Sequence, residues 1–282
     1  MDRSFGHRGL GHEAGMSELS APSLDMTPWM KIRIGARLLL LQARWDSARM
    51  QGPGFCFAID PWLAVCWGSE PEALREARRR HLEYFNTHPV AAWLMAGIVC
   101  RHEAAAAALS GAAREQAIKK IRSLKTGLGA SLAGLYDSFF WGALRPASAL
   151  AGILVAQAAY RFGWRPSLAW AAATALCVYN VPGVTARVFG LLQGAGQGER
   201  AATGLIDLPV QSWIRGLRWA AVGGAMLAFG FSTWTFLPGD RLMAAFLFAA
   251  GLILTWRGVS QVAQLGLAGL GGMAASVVGI WP

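Results

Sequence analysis

Between Trp29 and Met50 the apolar positions Ile34, Leu38, Leu41 and Trp45 recur at spacings of four, three and four, the stripe of a single helix. Lys31, Arg33, Arg37, Arg44 and Arg49 fall to its sides, which suits a helix lying in a membrane interface with basic side chains toward headgroups, or one packed on a soluble partner. Gln51-Gly-Pro-Gly54 breaks that helix. Phe55 to Trp67 is a second apolar segment, interrupted at Asp60-Pro61 and too short to span a bilayer. Residues 70–86 are the most polar stretch. There Ser69 is placed as N-cap and Pro71 in the first turn, Glu76 and Arg80 form an i,i+4 pair, and Leu74, Ala77, His81 and Tyr84 or Phe85 make the buried stripe. Pro89 stops this helix and opens another, whose free N–H groups need an acceptor from Thr87 or His88. The apolar dozen Pro89 to Cys100 is read as a buried or half-inserted helix. Arg101-His-Glu103 and an alanine-rich run to Ala113 follow, then a second basic amphipathic helix over Arg114 to Lys125, with Ile118, Ile121 and Leu124 on one side.

From Pro146 onward the apolar runs lengthen. Pro166–Ala186, Trp219–Gly239 and Gly258 to the C-terminus are each long enough to cross a membrane, and Pro146–Tyr160 and Leu242–Trp256 reach if their terminal Arg and Trp snorkel. Tyr179-Asn-Val-Pro-Gly183 predicts a kink or break within one of these helices. Glu199-Arg200 and Asp207 to Arg218 are assigned to loops. The pattern as a whole predicts an all-α polytopic membrane protein. It has N-terminal cytoplasmic or interfacial amphipathic helices, a re-entrant segment and several transmembrane helices, four to six membrane segments in total.

Composition sharpens that picture. The chain is 54% hydrophobic and only 15% charged, against about 25% charge in soluble domains. Twelve of its acidic residues precede position 127, and beyond it stand only Asp137, Glu199, Asp207 and Asp240. Two solvents are implied. We divide the chain into a disordered tail (1–28), a cytoplasmic or interfacial helical region (29–126) and a transmembrane region (127–282). His7 and His12 in the tail are read as solvated, and the tail lacks the apolar core of a signal peptide, so insertion is expected to use internal segments. The net charge of +10 finds its counter-charge in anionic lipid headgroups, because no nucleic-acid motif accompanies it. Basic clusters before Gly127 put the N-terminus in the cytoplasm. Cys56, Cys66, Cys100 and Cys177 share no metal spacing and are read as small buried hydrophobes; no metal or cofactor is expected.

One stretch stands apart. Lys119, Lys120, Arg122 and Lys125 crowd the entrance to residues 121–146, in which Gly127, Gly129, Gly134 and Gly142 allow close backbone packing, and Asp137 sits among Phe139, Phe140 and Trp141. A lone carboxylate in an apolar segment costs several kcal/mol unless it is paired or faces a polar cavity. Pairing with Arg145 or Arg122 would make Asp137 purely structural.

Three motifs in order, Arg49-Met-Gln-Gly-Pro-Gly-Phe-Cys-Phe57, Arg80-His-Leu-Glu-Tyr-Phe-Asn-Thr-His-Pro89 and Lys125 through Asp137 to Phe140-Trp-Gly-Ala-Leu-Arg-Pro146, resemble the IID subunit of the mannose/fructose/sorbose family of bacterial phosphotransferase (PTS) sugar transporters. The similarity is clear from about residue 42 to 150 and thins beyond, for an IID-like domain over about 29–280. The resemblance implies a non-catalytic, multi-pass subunit of the bacterial inner membrane that pairs with a IIC subunit to translocate a hexose of the mannose type. IIA and IIB partners carry the phosphoryl group on histidine and phosphorylate the sugar, so none of the five histidines here inherits that role. Vicinal sugar hydroxyls suit the Asp137 carboxylate, and Trp141 can stack on a pyranose face. Asn86, Thr87, His88 and Arg145 complete the candidate substrate site. Where relatives read Pro-Leu-Ala-Gly-Val-Gly-Asp-Pro, this chain has Ser131-Leu-Ala-Gly-Leu-Tyr-Asp-Ser138. If the family turn uses a positive φ at that Gly, Tyr136 is strained there. That departure admits an alternative, a degenerate IID-like subunit with a regulatory or scaffolding role. A stand-alone membrane enzyme using Asp137 as acid or base lacks a second positioned group.

Overall fold

The computed structural model describes residues 24–206 and 208–235 together with Ala249, and within them the chain is helical. Helices α1 (Pro28–Leu38), α2 (Gly52–Trp67), α3 (Pro71–Leu82), α4 (Ala91–Ala107) and α5 (Gly111–Ser123) come first. Then follow a π-helical segment π1 (Leu124–Leu128), α6 (Gly129–Tyr136), a second π segment π2 (Asp137–Leu144), α7 (Arg145–Arg161), α8 (Ser167–Gln197), α9 (Arg200–Ile206) and α10 (Val210–Thr235). Most of the expected tail with His7 and His12, the end of the Trp219–Gly239 run, Asp207, and the Leu242–Trp256 and Gly258 segments lie outside the described residues.

Two compact units emerge, one from the described parts of Met1–Arg145 and Cys177–Gly216, the other from those of Pro146–Leu176 and Leu217–Pro282. In the first, α4 is the axis. Every residue from Ala91 to Cys100 is buried, because α1, α2 and α5 pack on it from one side and α8 from the other. The α8 contact is made by backbone. A Cβ on Gly97 would stand 2.5 Å from the Leu191 carbonyl oxygen, and one on Gly194 would stand 2.5 Å from that of Leu94. Gly190 and Gly194, four apart on α8, form the small-residue face that such an approach requires. Large side chains fill the rest. Phe55, Ile59, Leu63, Trp67, Met95 and Ile98 are almost wholly buried, each contributing about 1.5–3 kcal/mol of transfer free energy.

The Gln51-Gly-Pro-Gly54 motif starts α2, and its glycines are explained by contact: Cβ atoms would meet the Glu83 carbonyl oxygen at 2.3 Å from Gly52 and that of Leu41 at 1.8 Å from Gly54. α2 then runs unbroken through Asp60-Pro61. In the second unit, a Cβ on Gly152 of α7 would stand 2.8 Å from the Ala171 carbonyl oxygen of α8, and the Gln157 side-chain amide donates to the Ala228 carbonyl of α10 at 3.0 Å.

Several sequence expectations change. The helix expected over 29–50 ends at Leu38, because the chain must turn to bring Leu41 beneath Gly54; Ile34, Leu38 and Leu41 are buried as the stripe requires, but Trp45 is exposed. Glu70 rather than Ser69 stands at the α3 N-cap. Glu76 and Arg80 do not pair, for Arg80 turns into the core and Glu76 faces Arg122 at 3.5 Å. Cys66 is half-buried and Cys177 exposed, although Cys56 and Cys100 are core residues. No break occurs at Tyr179–Gly183, since α8 continues through Pro182. Much of the stretch assigned to loops is helical, in α9 and the first turns of α10. Among the described helices, two are long and apolar enough to cross a membrane, Gly111–Arg161 and Ser167–Gln197. The central stretch is therefore continuous helix.

Candidate functional site

The Asn86-Thr87-His88 junction between α3 and α4 is held at three points. Gln51, at the head of α2, donates from its amide nitrogen to the Thr87 carbonyl at 2.8 Å and accepts the Thr87 N–H at 3.2 Å. The Thr87 hydroxyl donates to the Gly129 carbonyl at 2.9 Å, at the start of α6. Gly129 is small because Phe85 lies 3.3 Å from where its Cβ would be. Thr87 thus positions the junction against the central helix, its hydroxyl proton spent on Gly129.

His88 does two things at once. Its Nδ1 accepts the Val90 N–H at 3.1 Å, satisfying one of the free donors that open α4. An accepting Nδ1 places the imidazole proton on Nε2, and among the described residues the buried Nε2 has no hydrogen-bond partner. Burial, outweighing the attraction of the nearby Asp137 charge, lowers the His88 pKa to about 4, so the ring is neutral at pH 7. Aromatic rings surround it: Phe140 stacks at 5.1 Å between centroids, Trp141 meets it edge-on at 6.0 Å, and Tyr136 lies at 6.0 Å.

The π segments bring these rings to one place. A π turn widens the helix and shifts the register of everything after it, a feature concentrated at functional sites. π2 carries Asp137, Phe140 and Trp141, and the Arg145 guanidinium lies 4.9 Å over the Trp141 ring. Asp137 is exposed, and among the described residues it enters no ion pair, so the expected alternative of pairing with Arg145 or Arg122 is not formed; Arg122 faces Glu76 and Glu83 instead. Tyr136 is helical at φ −70°, without the strain anticipated for it. Gly127 and Gly134, expected to serve close packing, face open space. Asn86 is exposed, and its side chain joins none of the described hydrogen bonds, whereas His88 meets Trp141 ring to ring and the Arg145 guanidinium lies over Trp141.

Behind the junction lies a cluster that sequence reasoning missed. Glu103, on α4, is wholly buried and accepts from Arg80 Nε and Nη2, from His81 Nε2 at 2.8 Å and from the Trp67 indole N–H at 2.8 Å. Burial opposes its charge, but the bonds from His81 and Arg80 prevail and hold its pKa near 2. Burial likewise takes His81 down to about 4, making it a neutral donor to an ionised glutamate. Lys125 of π1, also buried, donates to the Arg80 carbonyl at 2.7 Å and ties the central helix to α3. The signal was present in Arg80 and His81 on the buried face of α3, which required a carboxylate partner. In sequence Glu103 stands with Arg101 and His102 between an apolar dozen and an alanine-rich run, a neighbourhood that does not mark it as a residue of the buried face of α4.

A model of the family described as "PTS system mannose/fructose/sorbose family IID component" matches residues 26–232. The chain belongs to that family. Over 159 residues it is 33% identical to the "PTS system mannose-specific EIID component" of Escherichia coli, covering 56% of this chain and 52% of that one. It is 40% identical over 119 residues to the "Fructose permease IID component" of Bacillus subtilis, 41% of this chain and 40% of the relative. The "PTS system sorbose-specific EIID component" of Klebsiella pneumoniae is 33% identical over 117 residues. The matches thus span about half the length of these curated relatives or less. Two solved chains share the fold: one in a cryo-EM structure of the mannose transporter ManYZ with a microcin, at TM-score 0.53, 24% identity and coverage of 90% of this chain and 98% of that one, and one described as "Structure of membrane protein", at 0.65, 23%, 90% and 97%. An all-α membrane protein of the IID type is established on these grounds.

Proposed function

We propose that this IID protein is the membrane subunit of a mannose-type sugar permease, pairing with a IIC subunit, and that His88, Asp137 and Trp141 contact the hexose. The observation that carries this reading is the Nε2 of a neutral His88, buried without a hydrogen-bond partner among the described residues and set among aromatic rings beside an exposed carboxylate, Asp137, that enters no ion pair there. An unmet buried donor costs about 1–3 kcal/mol, which a ligand hydroxyl oxygen would recover. Asp137 accepts from a vicinal pair of hydroxyls, and Trp141, steadied by Arg145, offers the ring face that pyranose C–H groups prefer. Asn86 has only its exposure to recommend it and stands at the margin of the site, while Thr87 holds the backbone.

The phosphoryl chemistry belongs to IIA and IIB partners on the cytoplasmic side, toward which the basic first half of the chain faces, with the N-terminus in the cytoplasm of a multi-pass inner-membrane protein. The chain's own share is binding and orientation. The test is phosphoenolpyruvate-dependent phosphorylation of a panel of labelled hexoses by inverted vesicles made with and without this chain and supplied with the cytoplasmic partners. Sugar phosphate formed only with the chain supports transport and names the sugar. Equal rates with a folded chain present would sink the proposal.

A further inference from the structure

Within the first unit a groove runs beside α8, formed of three depressions joined by shared walls. At one end, about 470 Å³ is bounded by Arg101, Gln197, Glu199 and Arg200. Gln197 and Arg200 also border the next depression, about 350 Å³, where Gly204 and Leu205 of α9 face Phe189 of α8. Tyr136, Ala186, Leu205 and Leu208 are then shared with a third, about 420 Å³, closed by Phe139, Val181, Pro182 and Trp213. Polarity changes along the way. The first end is charged, whereas at the far end the polar side-chain atoms in the wall are those of Tyr136, Thr185 and the Trp213 indole N–H.

This gradient excludes a hexose, whose hydroxyls would go unmet along most of the length. It fits a molecule with a charged head and a long apolar tail. Charge at the head end favours an anion: Arg101 and Arg200 line it, and among the described residues the carboxylate in its wall is Glu199, which Lys120 already pairs at 2.5 Å. The lips are apolar and exposed, Val181 at 63% and Phe189 at 59%, on a helix apolar enough to cross a membrane. Size agrees as well, each depression lying in the range of about 300–1,000 Å³ that binding pockets occupy. We propose that the groove holds one anionic glycerophospholipid, its headgroup at Arg101 and Arg200 and an acyl chain running past Leu205 to Trp213.

The test uses the full chain in phosphatidylcholine vesicles doped with phosphatidylglycerol carrying a photoreactive group on either the acyl tail or the headgroup. Tail label is expected on peptides around 136–140 and 205–213, and head label around 197–201; labelling spread evenly over outward-facing helix surfaces overturns the proposal. Gly204 lines the groove and a Cβ there meets nothing within 4 Å, so a side chain can start at this position without a clash, and with Gly204→Trp tail labelling should fall about tenfold. Arg200→Gln should weaken phosphatidylglycerol capture about fivefold, and phosphatidylcholine capture hardly at all. Equal loss for both lipids, or none, overturns the headgroup assignment. If Gly204→Trp does not fold, the mapping on the unaltered chain decides.

Discussion

His81 and His88 sit seven residues apart at the two ends of one short connection; both are buried, and among the described residues each leaves one ring nitrogen unmet, the acceptor Nδ1 on His81 and the donor Nε2 on His88. His81 gives its proton to Glu103, which also takes Arg80 and Trp67, so that every charge in the cluster meets a partner. His88 spends one nitrogen on a helix cap and leaves the other unmet among rings. Burial alone does not distinguish structure from function. The difference is what is left over: at Glu103 the charged groups all find partners and only a weak acceptor, His81 Nδ1, goes unmet, whereas at His88 an N–H donor is left facing aromatic rings beside an exposed carboxylate.

If that contrast is right, breaking the first site should cost stability and breaking the second should cost transport. Glu103→Ala should be the severest change, leaving Arg80 uncompensated in the core and destabilising by about 3–5 kcal/mol, read as loss of folded protein in detergent thermal melts. Gly97→Leu, which drives a side chain into the α8 backbone, should also prevent proper assembly of the α4–α8 pair, read by the same melts and by protease susceptibility.

Acid should weaken both sites through the unfolded state. His81 and His88 ionise near 6.5 when unfolded but near 4 when folded, so the unfolded chain binds more protons in that window. Stability should therefore be full above about pH 6.5 and fall as pH drops toward 4, by up to about 3 kcal/mol for each histidine. His81→Phe should flatten part of that slope. The depressed Glu103 pKa acts at lower pH, its contribution being lost between about 4.5 and 2.

At the second site, Asp137→Asn should cut hexose phosphorylation in vesicles about tenfold or more while leaving the melting temperature unchanged, since the carboxylate enters no ion pair among the described residues. His88→Asn keeps an acceptor for the Val90 N–H and should produce the same split, with a somewhat larger loss of stability from the missing ring. A large fall in stability for Asp137→Asn would erase the contrast. The smallest effect is expected at Asn86→Ala, which should change uptake less than twofold.

Much of this was legible from residue order. Alternation of apolar and basic positions placed the helices, Pro71 and Pro89 marked helix starts, and three local motifs identified the family, because each depends on neighbours within one or two turns. The junction residues Thr87 and His88 were chosen for capping chemistry, and His88 caps α4. What residue order did not determine were the long-range choices. Glu103 looks like part of a polar break until α4 and α3 are packed, when it becomes the one carboxylate within reach of Arg80, His81 and Trp67. Tyr136 and Pro182 looked like a strained turn and a break, yet both lie in continuous helix. The π turns decide which way Phe140 and Trp141 point, and a π turn has no local sequence code because the extra residue is accommodated by packing. Local pattern follows from backbone sterics and side-chain polarity. The meeting of His88 with π2, and of Gly97 with Gly194, depends on tertiary contacts across 50 to 100 residues of chain, and only the folded molecule determines those.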